Sequence, residues 1–151
     1  MKKVFMIAMV LMFGLSIMAV SNAIAEDCGP PGVGSPGYWK NHPDAWPDGI
    51  QFCGEALDYT EAIELMGTPV RGDKWLTLFR AWVAAKLNIA IGNPRPEDCC
   101  KDDIEVWLCA YEDSVAASSE AWQCEGEDFY LCLDDYNNGF QDGAPSRDAL
   151  E

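Results

Sequence analysis

An apolar run covers residues 4–20, directly after the positive charges of Lys2 and Lys3. The stretch Ala23-Ile24-Ala25 then offers small residues at the positions that signal peptidase reads. A run of this length just reaches across a bilayer, but the basic start and the small-residue exit favour a cleaved signal. The sequence therefore predicts that residues 1–25 are a signal peptide and that the remaining chain is exported, to the periplasm or to the medium.

The exported part is predicted to form one domain with three regions. Residues 26–58 are rich in glycine, proline and aromatic residues and show no helical period, which predicts an ordered loop region. Apolar residues recur at three- and four-residue spacing through residues 59–139, which predicts a core of about four helices. Residues 140–151 form a polar tail. The predicted fold class is mainly α, a small disulfide-stapled helical domain preceded by an irregular Gly/Pro/Trp-rich loop.

The helix predicted after Asp73 is the most apolar part of this core. Two apolar stripes lie side by side on it and leave residues such as Ala84 and Asn88 on the remaining sides. A helix this apolar should be surrounded by other elements. Thr60 is predicted to cap the preceding helix, and Ser118 or Ser119 the last one. The stripes consist of Leu76, Phe79, Val83, Leu87 and Ala90, and of Trp75, Leu78, Trp82, Ala85 and Ile89.

Seven cysteines follow the predicted signal, in a compartment that favours disulfides. They allow three bridges and leave one thiol, which either stays unpaired or links two chains into a dimer. If the predicted helices are continuous, Cys100 and Cys109 lie about 13 Å apart, and Cys124 and Cys132 about 12 Å apart. Both distances exceed the roughly 4.4–6.8 Å between bridged Cα atoms. The bridges are therefore predicted to join different elements, with Cys28 or Cys53 fixing the N-terminal loop. The candidates are Cys28, Cys53, Cys99, Cys100, Cys109, Cys124 and Cys132.

The chain is strongly acidic, with a formal net charge of −15 at pH 7. This charge opposes binding to nucleic acids and to anionic membrane surfaces, both of which attract cations. A divalent cation, a basic partner or simple solubility outside the cell remain as explanations. With one histidine and no Cys-x-x-Cys pair, structural zinc is disfavoured, and no cofactor is predicted.

The stretch GYWKNHPDAWP, residues 37–47, admits three interpretations. As a structural corner, its rings and prolines would pack onto the central helix. As a binding surface, its aromatic and polar side chains would hold a glycan or a protein. As a hydrolase site, His42 would work with Asp44 or another carboxylate. The leading prediction is a non-catalytic interaction module, with a hydrolase as one alternative. The candidate binding residues are Tyr38, Trp39, Asn41, His42 and Trp46.

A calcium-stabilised extracellular module is a second alternative. In DDYNNGFQDG, Asp134, Asn138 and Asp142 would occupy positions one, five and nine of a calcium loop. Tyr136 at position three and Pro145 at position twelve break the EF-hand pattern. The same residues are also typical of a helix end, since asparagine and glycine tolerate the left-handed conformation. The helix end is the favoured interpretation.

Four segments resemble, in the same order, a stretch found in many secreted and surface-exposed bacterial proteins. They are GYWKNHPDAWP, YTEAIELMGTPVRGD, AAKLNIAIG and LDDYNNG. In those proteins the stretch occurs alone or beside immunoglobulin-like repeats and sorting anchors. The resemblance implies an extracytoplasmic module and implies nothing about its chemistry. The cysteines of the third and fourth predicted helices depart from that pattern.

Overall fold

The computed structural model describes residues 30–96, 103–111, 114–141, 145–147 and 150. This part of the chain is mainly helical, as predicted. One antiparallel hairpin pairs Gln51 with Ala56 and Phe52 with Glu55. The elements in chain order are α1 (Pro36–Asn41), a 3₁₀ turn (Pro43–Ala45), β1 (Gln51–Phe52), β2 (Glu55–Ala56), α2 (Tyr59–Gly67), α3 (Lys74–Ala90), α4 (Asp103–Ala110), a π-helical turn (Trp122–Gly126) and α5 (Glu127–Asn137).

Helix α3 is the centre of the core. It begins where the sequence predicts, because the Asp73 carboxylate accepts a hydrogen bond from the Leu76 N–H at 3.3 Å. Ten of its 17 residues are buried, including Ala84 and Asn88, which belong to neither apolar stripe. Helices α1, α2, α4 and α5 all pack against it. The predicted surrounded helix is therefore present, and it ends before Gly92, whose φ is 106°.

The N-terminal loop region contains short regular elements that its sequence pattern did not indicate. Helix α1 starts because the Ser35 hydroxyl accepts a hydrogen bond from the Tyr38 N–H at 3.2 Å and Pro36 occupies the first turn. The hairpin turns through Cys53 at φ 52° and Gly54 at φ 80°, the positive pair that a type I′ turn requires. Elements of two to six residues are too short to produce a recognisable period.

One described disulfide joins Cys53 at the hairpin tip to Cys109 in α4, with 5.7 Å between the Cα atoms. It confirms that a bridge links different elements and that Cys53 fixes the N-terminal region. Cys132 is also disulfide-bonded, whereas Cys124 is an exposed free thiol. The bonds are consistent with an oxidising, exported compartment. The other candidates, Cys28, Cys99 and Cys100, and the predicted signal peptide lie outside the described residues.

The helix caps differ from prediction at one position. Asp58, and not Thr60, caps α2, because its carboxylate accepts hydrogen bonds from the N–H groups of Thr60 and Glu61 at 2.9 and 3.1 Å. The prediction of Thr60 is therefore wrong by two residues. The prediction that Ser118 or Ser119 caps the last helix is confirmed for Ser119, whose hydroxyl accepts a hydrogen bond from the Trp122 N–H at 3.3 Å. Among the described residues, no helix combines the length and the apolar character that crossing a bilayer requires.

Candidate functional site

The two tryptophans of the 37–47 stretch belong to the core. Trp39 is 1 % exposed and Trp46 is 8 % exposed. The Trp39 Nε1 donates to the Asn88 Oδ1 at 2.9 Å, and the Trp46 Nε1 donates to the Trp39 carbonyl at 3.0 Å. Neither ring offers a free face to a ligand, so burial removes Trp39 and Trp46 from the predicted binding surface. They act as the structural corner that closes over α3.

Three buried asparagines fix this corner to the helical core, and we call Asn88, Asn93 and Asn137 the amide clamp. Each is at most 4 % exposed. The Asn88 Oδ1 accepts from the Gly34 N–H at 2.7 Å, and its Nδ2 donates to the Gly34 carbonyl and to the Asn137 Oδ1, both at 2.9 Å. Asn93 accepts from the Gly32 N–H at 3.1 Å. The clamp therefore satisfies the backbone hydrogen-bonding groups of Gly32 and Gly34, as a paired strand does in a sheet.

The remaining candidates of the corner line a depression of about 420 Å³, with Asn41 and His42 exposed and Tyr38 half-buried. The His42 Nδ1 donates to the Tyr38 carbonyl at 2.8 Å, and its ring stacks on the Tyr38 ring at 4.2 Å between centroids. Asn41 also lines the depression. Asp44 is exposed on the following 3₁₀ turn and is not a lining residue. The structure therefore does not bring His42 and Asp44, the pair predicted for a hydrolase, into one cleft.

A deeper concavity lies at the other end of the N-terminal region, between the hairpin and helices α2, α3 and α4. Its volume is about 490 Å³. We call it the aromatic cleft, because its walls include the half-buried rings of Phe52 and Trp75 and the buried ring of Phe79. The buried side chain of Leu108 continues this apolar surface. The Cys53–Cys109 disulfide lies along the same wall.

Ring contacts and a hydrogen bond hold the aromatic wall in place. Trp75 stacks on Phe79 with centroids 5.0 Å apart and planes 10° apart, and Phe52 meets Phe79 edge-on at 5.4 Å. The Trp75 Nε1 donates to the Leu108 carbonyl at 2.9 Å, which ties α3 to α4 below the cleft. Such contacts define ring positions before a ligand arrives, which reduces the ordering required on binding.

The hairpin that covers one side of the cleft is also fixed. Besides the disulfide, the Cys53 N–H donates to a carboxylate oxygen of Glu105 at 3.1 Å. The second carboxylate oxygen of Glu105 pairs with the Lys86 Nζ at 3.3 Å. These contacts hold Cys53 in its left-handed backbone conformation, which a residue other than glycine rarely adopts. The cleft is therefore formed by rigidly connected elements.

The charged side chains that line the cleft are all negative. Glu55, Asp58 and Glu61 are exposed lining residues, and among the described residues no lysine, arginine or histidine lines the cleft. Asp58 is partly engaged as the cap of α2. The cleft thus combines an apolar interior with an acidic rim, which we define as Glu55, Asp58 and Glu61.

Two of the predicted calcium residues, Asp134 and Asn138, are hydrogen-bonded to each other. The Asn138 Nδ2 donates to the carbonyl and carboxylate oxygens of Asp134 at 2.8 and 3.3 Å. Helix α5 ends at Asn137 and Gly139 has φ 71°, which confirms the helix-end interpretation. Asp142 lies outside the described residues, and within them no three His, Cys, Asp or Glu side chains gather to hold a metal ion.

Two described side chains have a displaced pKa, and neither lines the cleft or the depression. Burial lowers the pKa of the Arg80 guanidinium, whose Nε donates to the Leu65 carbonyl at 3.0 Å. Burial and the negative charge of Asp134 raise the pKa of the Tyr130 phenol. Both shifts are consequences of packing in the helical core.

Comparison with protein-family models, with curated proteins and with solved structures finds no match for this chain. The resemblance to secreted bacterial proteins therefore stays a prediction, and the site has to be judged from its own geometry.

The aromatic cleft was missed at the level of sequence. One usable signal was Gly54, since glycine is the preferred second residue of a two-residue type I′ hairpin turn. The juxtaposition of Phe52 with Trp75 and Phe79 has no such local signal, because the rings meet only when the hairpin folds onto α3.

Proposed function

We propose that this protein is an exported, non-catalytic binding module whose ligand occupies the aromatic cleft. The observation that carries the proposal is the cleft itself, a concavity of about 490 Å³. Small-ligand pockets typically measure about 300–1,000 Å³ and combine apolar walls with a few polar groups. The proposal retains the interaction module predicted from sequence and moves its main site from the tryptophan corner to the hairpin.

The chemistry of the lining favours binding over catalysis. The two cysteines at the cleft are joined in a disulfide, so neither supplies a thiolate nucleophile. The three carboxylates of the acidic rim are exposed to solvent, and the remaining walls are mostly apolar. An apolar cavity beside exposed charges is suited to recognising a ligand by shape and charge. The same proposal holds that the protein is exported to the periplasm or the medium and binds a partner there.

A glycan or protein bound at the corner depression is the second candidate. It is favoured by the exposed side chains of Asn41 and His42 and the half-buried ring of Tyr38 around a cavity of about 420 Å³. Asn41 supplies amide groups that can hydrogen-bond to hydroxyls. However, one face of the Tyr38 ring is covered by His42, which leaves less aromatic surface for a sugar ring.

Two tryptophan substitutions distinguish these sites. Ala56 is exposed and lines the aromatic cleft, whereas Asn41 is exposed and lines the corner depression. Ala56→Trp should obstruct the cleft, and Asn41→Trp should obstruct the depression. The assay is ligand-observed NMR on the oxidised protein with the neutral probe 2-phenylethanol. A ligand of this size should bind with a Kd on the order of 1 mM.

We expect 2-phenylethanol to bind the unmodified protein and Asn41→Trp equally, and to bind Ala56→Trp at least fivefold more weakly. Far-ultraviolet circular dichroism of the two variants controls for folding. Binding that survives Ala56→Trp and disappears in Asn41→Trp would transfer the site to the corner. If 2-phenylethanol at a concentration 10-fold above the expected Kd does not bind the unmodified protein, the proposal that the cleft is a ligand site is wrong.

A further inference from the structure

We propose that the aromatic cleft selects a small organic cation, a molecule with an apolar body and an ammonium group. This inference rests on the proposed function and adds the chemical class of the ligand. It is carried by two features that meet in one cavity, the aromatic wall of Phe52, Trp75 and Phe79 and the acidic rim.

The aromatic wall accounts for both the body and the charge of such a ligand. Trp75 is partly exposed to the cleft, and the buried Phe79 holds one face of its ring by stacking at 5.0 Å. The half-buried rings of Trp75 and Phe52 are therefore the ones that a ligand contacts. Apolar atoms packed on these rings leave water, which favours binding. The faces of aromatic rings carry negative potential and attract a cation, tryptophan most strongly. The same wall therefore favours a cationic ligand over a neutral one of equal size.

The acidic rim acts in the same direction. Glu55, Asp58 and Glu61 have no cationic partner among the side chains that line the described cleft. The nearby Lys86 is directed elsewhere, since its Nζ pairs with Glu105 and lies 5.1 Å from the Trp82 ring centre. An anionic ligand would meet repulsion from the rim and from a chain of net charge −15. A cation meets attraction from both.

The dimensions favour a small molecule over a basic protein segment. The cleft measures about 490 Å³ and is bounded by the hairpin on one side and by three helices on the others. A stable protein interface needs a much broader surface, about 800 Å² on each partner. The ligand class inferred is thus a compact amine or quaternary ammonium compound with an aromatic or branched aliphatic body.

The test is calorimetric titration of the oxidised protein with three probes of similar size and different charge. They are 2-phenylethylamine, a cation at pH 7, the neutral 2-phenylethanol and the anion phenylacetate. We expect the amine to bind about tenfold more tightly than the alcohol, from combined cation–π and carboxylate attraction. Phenylacetate should bind more weakly than the alcohol. The advantage of the amine should shrink as sodium chloride is raised.

Two double variants with the same change of charge locate the attraction. Glu55→Gln with Glu61→Gln neutralises two rim residues and keeps Asp58 as the cap of α2. Glu64→Gln with Glu120→Gln neutralises two exposed residues that do not line the cleft. We expect the first pair to reduce the preference for the amine over the alcohol at least threefold. The second pair should leave that preference unchanged.

The outcomes separate this inference from the proposed function. Equal binding of the amine and the alcohol would overturn the cation selectivity and leave the cleft as an apolar binding site. Failure of all three probes to bind would overturn both proposals. If both double variants lose the preference for the amine over the alcohol equally, the attraction comes from net charge alone and the inference is overturned. The same holds if tetralysine binds as tightly as the amine.

Discussion

Asn88→Ala is the substitution with the largest consequence that the structure defines. The Asn88 side chain is fully buried and makes four hydrogen bonds, with the Gly34 N–H, the Gly34 carbonyl, the Trp39 Nε1 and the Asn137 Oδ1. Alanine provides none of them, and at 0 % exposure the site lies away from bulk water. A single change therefore leaves four buried polar groups without this partner.

The expected loss follows from the cost of such groups. Each buried donor or acceptor left unsatisfied destabilises a protein by about 1–3 kcal/mol. Four groups at the lower limit give a decrease of about 4 kcal/mol in the free energy of unfolding, against a total of about 5–15 kcal/mol for a typical domain. The Asn88→Ala protein should therefore retain about 1–11 kcal/mol, and at the lower end of this range it is close to unfolding at 25 °C.

Urea unfolding of the oxidised protein, followed by tryptophan fluorescence and circular dichroism, measures this loss. Asn41→Ala is the matched control, because Asn41 is an exposed asparagine and should change the unfolding free energy by no more than about 0.5 kcal/mol. If Asn88→Ala does not fold, Trp39→Phe removes one donor and should lower the free energy by about 1–3 kcal/mol. A loss below about 1 kcal/mol for Asn88→Ala would refute the amide clamp.

Three further outcomes are expected. Gly126→Ala should destabilise the protein by about 1 kcal/mol or more, because the new Cβ would lie 2.8 Å from the Trp122 ring. Gly67→Ala is the control, since open space surrounds Gly67, and it should be neutral or stabilising in the same urea assay. Replacing Cys53 and Cys109 together with alanine should cost about 4 kcal/mol, since the bond closes a loop with a sequence separation of 56, and a melting temperature equal to that of the oxidised parent would contradict this. The alkaline absorbance step that Tyr130→Phe removes should have its midpoint above pH 10.0, because burial raises the phenol pKa; a midpoint at or below 10.0 would oppose that reasoning.

The helical core could be predicted because its signals are local. Asp73 lies directly before the two apolar stripes, and its carboxylate caps α3 in the structure. Ser119 and Gly139 similarly mark the two ends of the last helical segment. The distance argument for cysteines also holds, since Cys53 pairs with Cys109 across elements. At the helix caps and the helix end, a few neighbouring residues determine the backbone, so spacing along the chain is sufficient there.

The candidate site could not be predicted in the same way. Asn88 is one polar residue on an apolar helix, and its partner Gly34 is 54 residues away. No periodicity connects the two, so the clamp appears only when the chain is folded. Cys53 has the positive φ expected of glycine, because the turn and the contact with Glu105 outweigh its intrinsic preference. The aromatic cleft depends on the second of these connections, the one between Cys53 and Glu105.

The two ends of the N-terminal region therefore have different roles. At one end, buried indoles and the amide clamp fix the chain to α3. At the other end, the hairpin leaves a concavity beside Trp75 and Phe79, and carboxylates from the hairpin and from the start of α2 form its acidic rim. The first arrangement supplies stability, and the second supplies the site to which we assign the binding function.

Nuclear magnetic resonance of the indole N–H groups tests this division most directly. The chain has six tryptophans, and each gives one indole signal that a Trp→Phe variant can assign. On titration with 2-phenylethylamine, we expect the Trp75 signal to shift with saturation, while the Trp39 and Trp46 signals stay unchanged. Shifts at Trp39 and Trp46 with a constant Trp75 signal would contradict the account.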